Sequence, residues 1–184
     1  MKILVTESQY RKILSEEKEQ KVLRIPSLKF FSEDWDLLQK FLMHRGNPPY
    51  SIGGDLDLRE TQIESLGNLT SVGGNLYLGG TSIKSLGNLE SVGRDLNLYE
   101  TPIESLGSLQ SVGGDLDLFD TPIESLGNLT SVGGDLDLYK TPIESLENLK
   151  SVGGFLNLPE TPLSTMYSEK QIRQMVDVGG KIYM

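Results

Sequence analysis

The sequence contains no cysteine and a single histidine, His44. Disulfide bonds and thiolate metal sites are therefore excluded, and one histidine with no obvious partner is a poor basis for a metal centre. No apolar run approaches the ~18–20 residues of a membrane span, and the N-terminus lacks the long apolar stretch of a signal peptide. We therefore expect a cytoplasmic protein.

Catalytic motifs are also lacking. The sequence has no nucleophile elbow, no phosphate-binding loop and no set of histidines and cysteines at metal-binding spacing. Its many Gly-Gly pairs are not followed by helical patterns, as a nucleotide-binding loop requires, so they indicate turns. We expect no enzyme activity, no cofactor and no metal-binding residues.

What the sequence does contain is a repeat of twenty residues with the consensus SVGGDLDLxxTPIESLGNLx. Copies begin at Ser51, Ser71, Ser91, Ser111, Ser131 and Ser151. Polar and apolar residues alternate from Asp135 to Tyr139, which predicts a strand with its two leucines inward and Asp135, Asp137 and Tyr139 outward. So short a strand cannot bury its leucines alone, but stacked copies can, which predicts a solenoid.

Each turn of this solenoid is expected to contribute one buried aliphatic residue to each of six columns. In the fifth copy they are Val132, Leu136, Leu138, Ile143, Leu146 and Leu149. The return path is too short for a full helix, so extended chain and turns are expected there. The glycine at the Gly133 position never varies, which indicates positive φ or close backbone approach. The next glycine is replaced once, by Arg94, which indicates that a side chain is accepted there.

The segment L-x-L-x-x-T-x-I, formed by Leu136, Leu138, Thr141 and Ile143, resembles the L-x-L-x-x-N-x-L pattern of leucine-rich repeats. The resemblance implies a parallel sheet of about seven short strands and a convex side of extended chain and turns. Threonine stands where that family usually has asparagine, and its hydroxyl could make part of the same hydrogen bonds. A generic parallel β-helix is the alternative fold.

Three segments follow from the position of the repeats. Residues 1–50 are predicted to be an N-terminal helical cap, with helices from Thr6 to about Glu19 and, capped by Ser32, from Glu33 to Arg45. Residues 51–160 form the solenoid. Residues 161–184 form a C-terminal cap with a helix starting at a Ser168–Gln171 capping box and a final strand, because 178–184 matches 152–158.

The N-terminal segment MKILVTESQYRKIL resembles the openings of uncharacterised proteins from large tailed phages. That resemblance implies a viral protein, located in the host cytoplasm or in the virion, but says nothing about chemistry.

Charge is unevenly distributed. The net charge is −9, and residues 51–160 carry 17 acidic and 5 basic residues. An acidic solenoid argues against direct contact with nucleic-acid phosphates. The aspartates form two outward columns in strands about 4.8 Å apart, where like charges repel. The first interpretation of these columns is a solvated face. Calcium binding is a weaker alternative, because calcium needs about 6–8 oxygen ligands around it and a flat sheet offers them from one side only. A mimic of nucleic acid is the third.

A third outward column contains three consecutive aromatic residues. The predicted partner-binding residues are this group and the flanking carboxylates: Tyr99, Phe119, Tyr139, Asp115, Asp117, Asp135 and Asp137. We expect a non-enzymatic solenoid that recognises a basic protein partner through a concave sheet. The alternatives are a structural or calcium-stabilised scaffold, such as a virion component, and an acidic nucleic-acid mimic that inhibits a host enzyme.

Overall fold

The structure is a computed structural model that describes residues 22–59 and 61–184. Within these residues, fifteen short strands form two sheets in which every pairing is parallel and mostly joins residues twenty positions apart. The chain is a parallel β-solenoid, which confirms the predicted fold class. The predicted first helix, Thr6 to about Glu19, lies outside the described residues.

Sheet B is the sheet that the leucine pattern predicts. It has seven strands, which lie in chain order from one end of the solenoid to the other. They are β3 (Leu56–Asp57), β5 (Leu76–Tyr77), β7 (Leu96–Asn97), β9 (Leu116–Asp117), β11 (Leu136–Asp137), β13 (Leu156–Asn157) and β15 (Ile182–Tyr183).

Sheet A was not predicted. Most of its strands contain the Ser-Val pair that precedes the invariant glycine, and this pair lies outside the run of alternating polar and apolar residues that predicts a strand. Its eight strands are β1 (Leu23–Ile25), β2 (Tyr50–Ile52), β4 (Leu69–Val72), β6 (Ser91–Val92), β8 (Ser111–Val112), β10 (Ser131–Val132), β12 (Ser151–Val152) and β14 (Asp177–Val178). The first of them, β1, adds a strand before the first repeat and pairs in register with β2.

The six aliphatic columns form one continuous core. Val132, Leu136, Leu138, Ile143, Leu146 and Leu149 are all buried, as predicted. Between Leu58 and Leu158 the described residues contain no helix, so the return path is extended chain and turns. The buried threonines bond within their own turn: Thr141 Oγ1 donates to the carbonyl of Leu138 at 2.8 Å.

The corner after each strand of sheet A requires glycine because the backbones of consecutive turns approach closely there. A Cβ on Gly133 would lie 2.2 Å from the carbonyl oxygen of Gly113, closer than any real contact. Close approach, and not positive φ, is therefore the reason for this column. The expectation that the next glycine accepts a side chain is wrong for Gly134, where a Cβ would lie 2.0 Å from Asp115 Oδ1.

The N-terminal end is covered by a 3₁₀ helix (Leu28–Phe31) and helix α1 (Trp35–His44). The N-cap of α1 is Asp34, whose Oδ1 accepts from the Leu37 amide at 2.9 Å. The prediction that Ser32 caps this helix is wrong, because Ser32 has φ 54° and ends the 3₁₀ helix. Side chains on one face of α1 join the core of the solenoid: Trp35, Leu38 and Leu42.

The C-terminal end contains two helices where the sequence predicted one. These are α2 (Pro162–Met166) and α3 (Glu169–Met175), and α3 begins with the predicted Ser168–Gln171 capping box. Arg173 then donates to the carbonyls of Val178 and Gly180, both at 2.9 Å, which fixes α3 to the last turn. No helix in residues 22–59 and 61–184 is long and apolar enough to cross a membrane.

Candidate partner-binding face

The outer face of sheet B carries all seven residues that the sequence predicts for partner binding. In each turn the leucines point into the core, so the residues between and after them point away from it. Leu136 and Leu138 are fully buried, whereas Asp135, Asp137 and Tyr139 are half-buried. Three outward columns therefore run side by side along the stack, two acidic and one aromatic.

The column of Asp115 and Asp135 is a hydrogen-bond ladder between turns. Asp115 Oδ1 accepts from the backbone amide of Asp135 at 2.7 Å, and Asp135 Oδ1 accepts from the amide of Phe155 at 2.7 Å. Asn75 makes the same bond, to the amide of Asp95 at 3.0 Å. These two predicted binding residues thus have a structural task, and one oxygen of each carboxylate is already engaged.

The column of Asp117 and Asp137 bonds in a different way. Asp117 Oδ1 accepts from the amide of Phe119 at 3.0 Å, and Asp137 Oδ1 accepts from the amide of Tyr139 at 2.9 Å. Neighbouring asparagines support both carboxylates, because Asn97 Nδ2 donates to Asp117 Oδ2 and Asn157 Nδ2 donates to Asp137 Oδ1, each at 2.9 Å. Each carboxylate therefore fixes the turn that presents the next aromatic residue.

The acidity of Asp117 reflects its surroundings. Burial raises the pKa of Asp117, the hydrogen bond from the Phe119 amide opposes that change, and the charge of Asp137 raises the pKa further. The neighbouring carboxylate thus adds to the effect of burial on Asp117. By contrast, the side-chain hydrogen bond from Arg59 lowers the pKa of Asp57 in the same column.

Two of the three predicted aromatic residues form a stack. The ring centroids of Phe119 and Tyr139 lie 5.4 Å apart with an interplanar angle of 10°. The Tyr139 hydroxyl donates to the carboxylate of Glu160, and that bond raises the pKa of the phenol. This pair, with Asp117 and Asp137 beside it, is the most compact group of predicted site residues.

Tyr99 is oriented toward the previous turn. A Cβ on Gly79 would lie 2.3 Å from Tyr99 Cε1, so the ring lies over that buried glycine. Tyr99 is 38% exposed. It belongs to the same face but is not part of the Phe119–Tyr139 stack.

Cations of the chain itself already contact aromatic rings on this face. The Lys140 ammonium lies 5.7 Å from the Phe119 ring centroid and 5.8 Å from that of Tyr139. The Arg59 guanidinium lies 4.9 Å from the Tyr77 ring centroid and donates from Nε to Asp57 Oδ1 at 2.9 Å. An aromatic ring next to an aspartate thus holds a basic side chain at two places.

Sequence reasoning missed a second aromatic pair, Phe155 and Tyr183, at the C-terminal end of sheet B. Their centroids are 6.0 Å apart at an interplanar angle of 80°, and about 45% of each side chain is exposed. The sequence contains a signal for this pair, because Phe155 stands in a column that aspartate or asparagine fills in all five preceding turns. The match of residues 178–184 to the repeat also places Tyr183 on the outer face of the adjacent strand.

Among the described residues, no group of three or more histidine, cysteine, aspartate or glutamate side chains is arranged to hold a metal ion. Comparisons with known proteins give no further guide to the site. A scan against family models found no match to this chain, and searches of curated proteins and of solved structures found none either.

Proposed function

We propose that this protein is a non-enzymatic binding solenoid that recognises a basic protein partner through the outer face of sheet B. The observation that carries the proposal is the Phe119–Tyr139 stack bordered by Asp117 and Asp137. Aromatic residues provide much of the binding energy in protein interfaces, and surrounding carboxylates favour a cationic partner.

The contacts of Lys140 support this choice of partner. Its ammonium group is near both stacked rings and 3.9 Å from Asp120, although it remains exposed. A basic side chain from a partner would meet the same rings and carboxylates. The net charge of the repeats adds long-range attraction, which accelerates association at low ionic strength.

The test is capture of partners from the source cell on immobilised protein, followed by binding kinetics with the protein that is recovered. The Phe119→Ala, Tyr139→Ala double variant should release the partner faster, because it loses buried contact area. Replacing Asp117 and Asp137 with asparagine should slow association and flatten its salt dependence, because steering is lost while the turns are kept.

A matched control changes the return-path side of the solenoid. Glu104, Glu124 and Glu144 occupy one column there, and replacing them with glutamine removes the same kind of charge from a different surface. These variants should release the partner at the wild-type rate, and at a salt concentration that screens long-range attraction they should bind with wild-type affinity. If they lose affinity while the aromatic double variant keeps it, the binding surface lies on the return path and the proposal is wrong.

The calcium-stabilised scaffold makes an opposite prediction that the same protein can test. Calcium would raise the melting temperature of the isolated protein in that case, whereas the binding proposal expects equal melting with calcium and with a chelator. The ladder bonds of Asp115 and Asp135 favour the second result, because these carboxylates gain a donor from the chain itself.

A further inference from the structure

We propose that the C-terminal end of sheet B holds an arginine side chain of the partner in a shallow cavity between Phe155, Tyr183, Asp135 and Asp137. The cavity has a volume of about 290 Å³ and is also lined by Asn157. That is at the small end of ligand-binding cavities, so it suits one side chain better than a larger molecule. The inference rests on the proposed function only in that both require a basic partner.

An earlier turn of the repeat shows how an arginine side chain occupies the equivalent position. Tyr77 pairs with Asp57 across β3 and β5, and Tyr183 pairs with Asn157 across β13 and β15. At the N-terminal end, Arg59 follows Asp57 by two residues, bonds to its carboxylate and lies over the Tyr77 ring. The chain thus supplies its own guanidinium to the first tyrosine of this column.

At the C-terminal end that guanidinium is missing. Pro159 occupies the position that corresponds to Arg59, and its ring can neither donate a hydrogen bond nor carry charge. Tyr183 therefore presents the same kind of ring in the same register without an arginine from the chain. Phe155 adds a second ring at nearly a right angle, which gives the cavity two aromatic walls.

The carboxylates of Asp135 and Asp137 give the cavity a negative charge, which suits a guanidinium. Asp135 Oδ1 accepts from the Phe155 amide, and Asp137 Oδ1 accepts from Tyr139 and Asn157. Within the described residues, Oδ2 of each aspartate has no hydrogen-bond donor. Two carboxylate oxygens and two ring faces suit a guanidinium, which combines planar hydrogen bonding with stacking on aromatic rings.

The experiment is an amide NMR titration of the full-length protein with the peptide acetyl-Gly-Arg-Gly-amide. The matched control peptide carries citrulline, which has the shape of arginine but no charge. We expect saturable shifts centred on Phe155, Asn157 and Tyr183 with arginine at millimolar concentration, and no saturable shifts with citrulline. Equal binding of the two peptides, or no saturable shift at these residues, would overturn the proposal.

Variants that copy residues from other turns of the repeat keep the fold while they change the cavity. Phe155→Asn introduces the neutral residue that this column carries at Asn75, and Tyr183→Asn introduces the residue that stands at Asn157 in the neighbouring turn, so both should fold. Each should weaken arginine binding about three- to tenfold, because a cation–π contact is lost. Unchanged affinity in both variants would overturn the proposal.

Two further variants test the comparison with Arg59. Pro159→Arg should fill the cavity from within and weaken the peptide by a similar factor. Arg59→Ala should remove the guanidinium beside Tyr77. The arginine peptide could then bind there as well and cause a second set of shifts at Asp57 and Tyr77. An unchanged titration in both variants contradicts the proposal.

These results separate this site from the proposed function. If the peptide fails to bind but the Phe119→Ala, Tyr139→Ala variant loses the captured partner, only the arginine cavity is wrong. If the peptide binds at Phe155 and Tyr183 but that double variant keeps the partner with unchanged affinity, the arginine cavity is supported and the proposed stack is wrong.

Discussion

At the scale of single residues, two aspartates that are separated by one leucine in the repeat act differently because their neighbours differ. Asp115 spans two turns and bonds to a backbone amide, whereas Asp117 bonds within its own turn and faces Asp137. Alternation along a strand correctly predicts that both point outward. It cannot distinguish their tasks, because the amide that Asp115 meets is twenty residues away and its position depends on the register of the stack.

Asp117 provides a test through pH. Its pKa in the folded protein is raised, so ionisation costs stability, and the loss develops as pH rises from the unfolded value of about 3.9 through the higher folded value. We expect Asp117→Asn to stabilise the protein at pH 7 by a few tenths to about 1 kcal/mol, because the site is partly exposed and charge effects there are screened. Asparagine keeps a side-chain oxygen that can accept the same hydrogen bond from the Phe119 amide.

Urea unfolding at pH 7 and pH 3 measures this effect. The gain should vanish at pH 3, where the carboxyl group is protonated in the wild type. A gain of equal size at both pH values would show that the charge of Asp117 is not its cause.

At the scale of elements, the strands of sheet B are held in register by side-chain bonds as well as by backbone pairing. Asp55 bonds to the amide of Asn75, and each later ladder residue continues the pattern up to Asp135. Phe155 interrupts it at the last turn. The ladder therefore explains why this column tolerates asparagine once, at Asn75, and carries no positive charge before Lys181.

Replacing Asp115 tests the ladder with a built-in control. Asp115→Ala leaves the Asp135 amide without its acceptor and should cost about 1–3 kcal/mol of unfolding free energy. Asp115→Asn should stay within about 0.5 kcal/mol of the wild type, since the Asn75 amide oxygen makes the same bond. Denaturant unfolding of both variants gives the values. Equal losses would mean that the negative charge, and not the hydrogen bond, stabilises the stack.

The elements also show where prediction from sequence succeeds and fails. The seven strands of sheet B, the buried columns and the last strand follow from an alternation of leucines and from a repeated motif. Sheet A does not, because its Ser-Val pairs lie outside the alternation of leucines, and β1 does not, because Leu23–Ile25 lies outside the repeat. The stack of Phe119 on Tyr139 follows from their shared column. The orientation of Tyr99 does not, because its ring turns toward the previous turn, where Gly79 leaves space for it.

At the scale of the whole molecule, the solenoid is a linear stack in which each turn contacts only its neighbours. Leu126 is fully buried in the middle, whereas Met184 at the end is 41% exposed. Leu126→Ala should cost ~2–5 kcal/mol and Met184→Ala much less, because only the first leaves a cavity between two neighbours. Thermal and urea unfolding compare the two variants. Similar costs at both positions would contradict a linear stack.

The most direct measurement of the central claim is amide hydrogen exchange with the captured partner bound and absent. The outer face of sheet B carries two exchange reporters, the Phe119 and Tyr139 amides, which bond to the carboxylates of Asp117 and Asp137. We predict that binding slows exchange at these amides and leaves the return-path amides near Glu104, Glu124 and Glu144 unchanged. Protection confined to the return path, with Phe119 and Tyr139 unaffected, would contradict the claim.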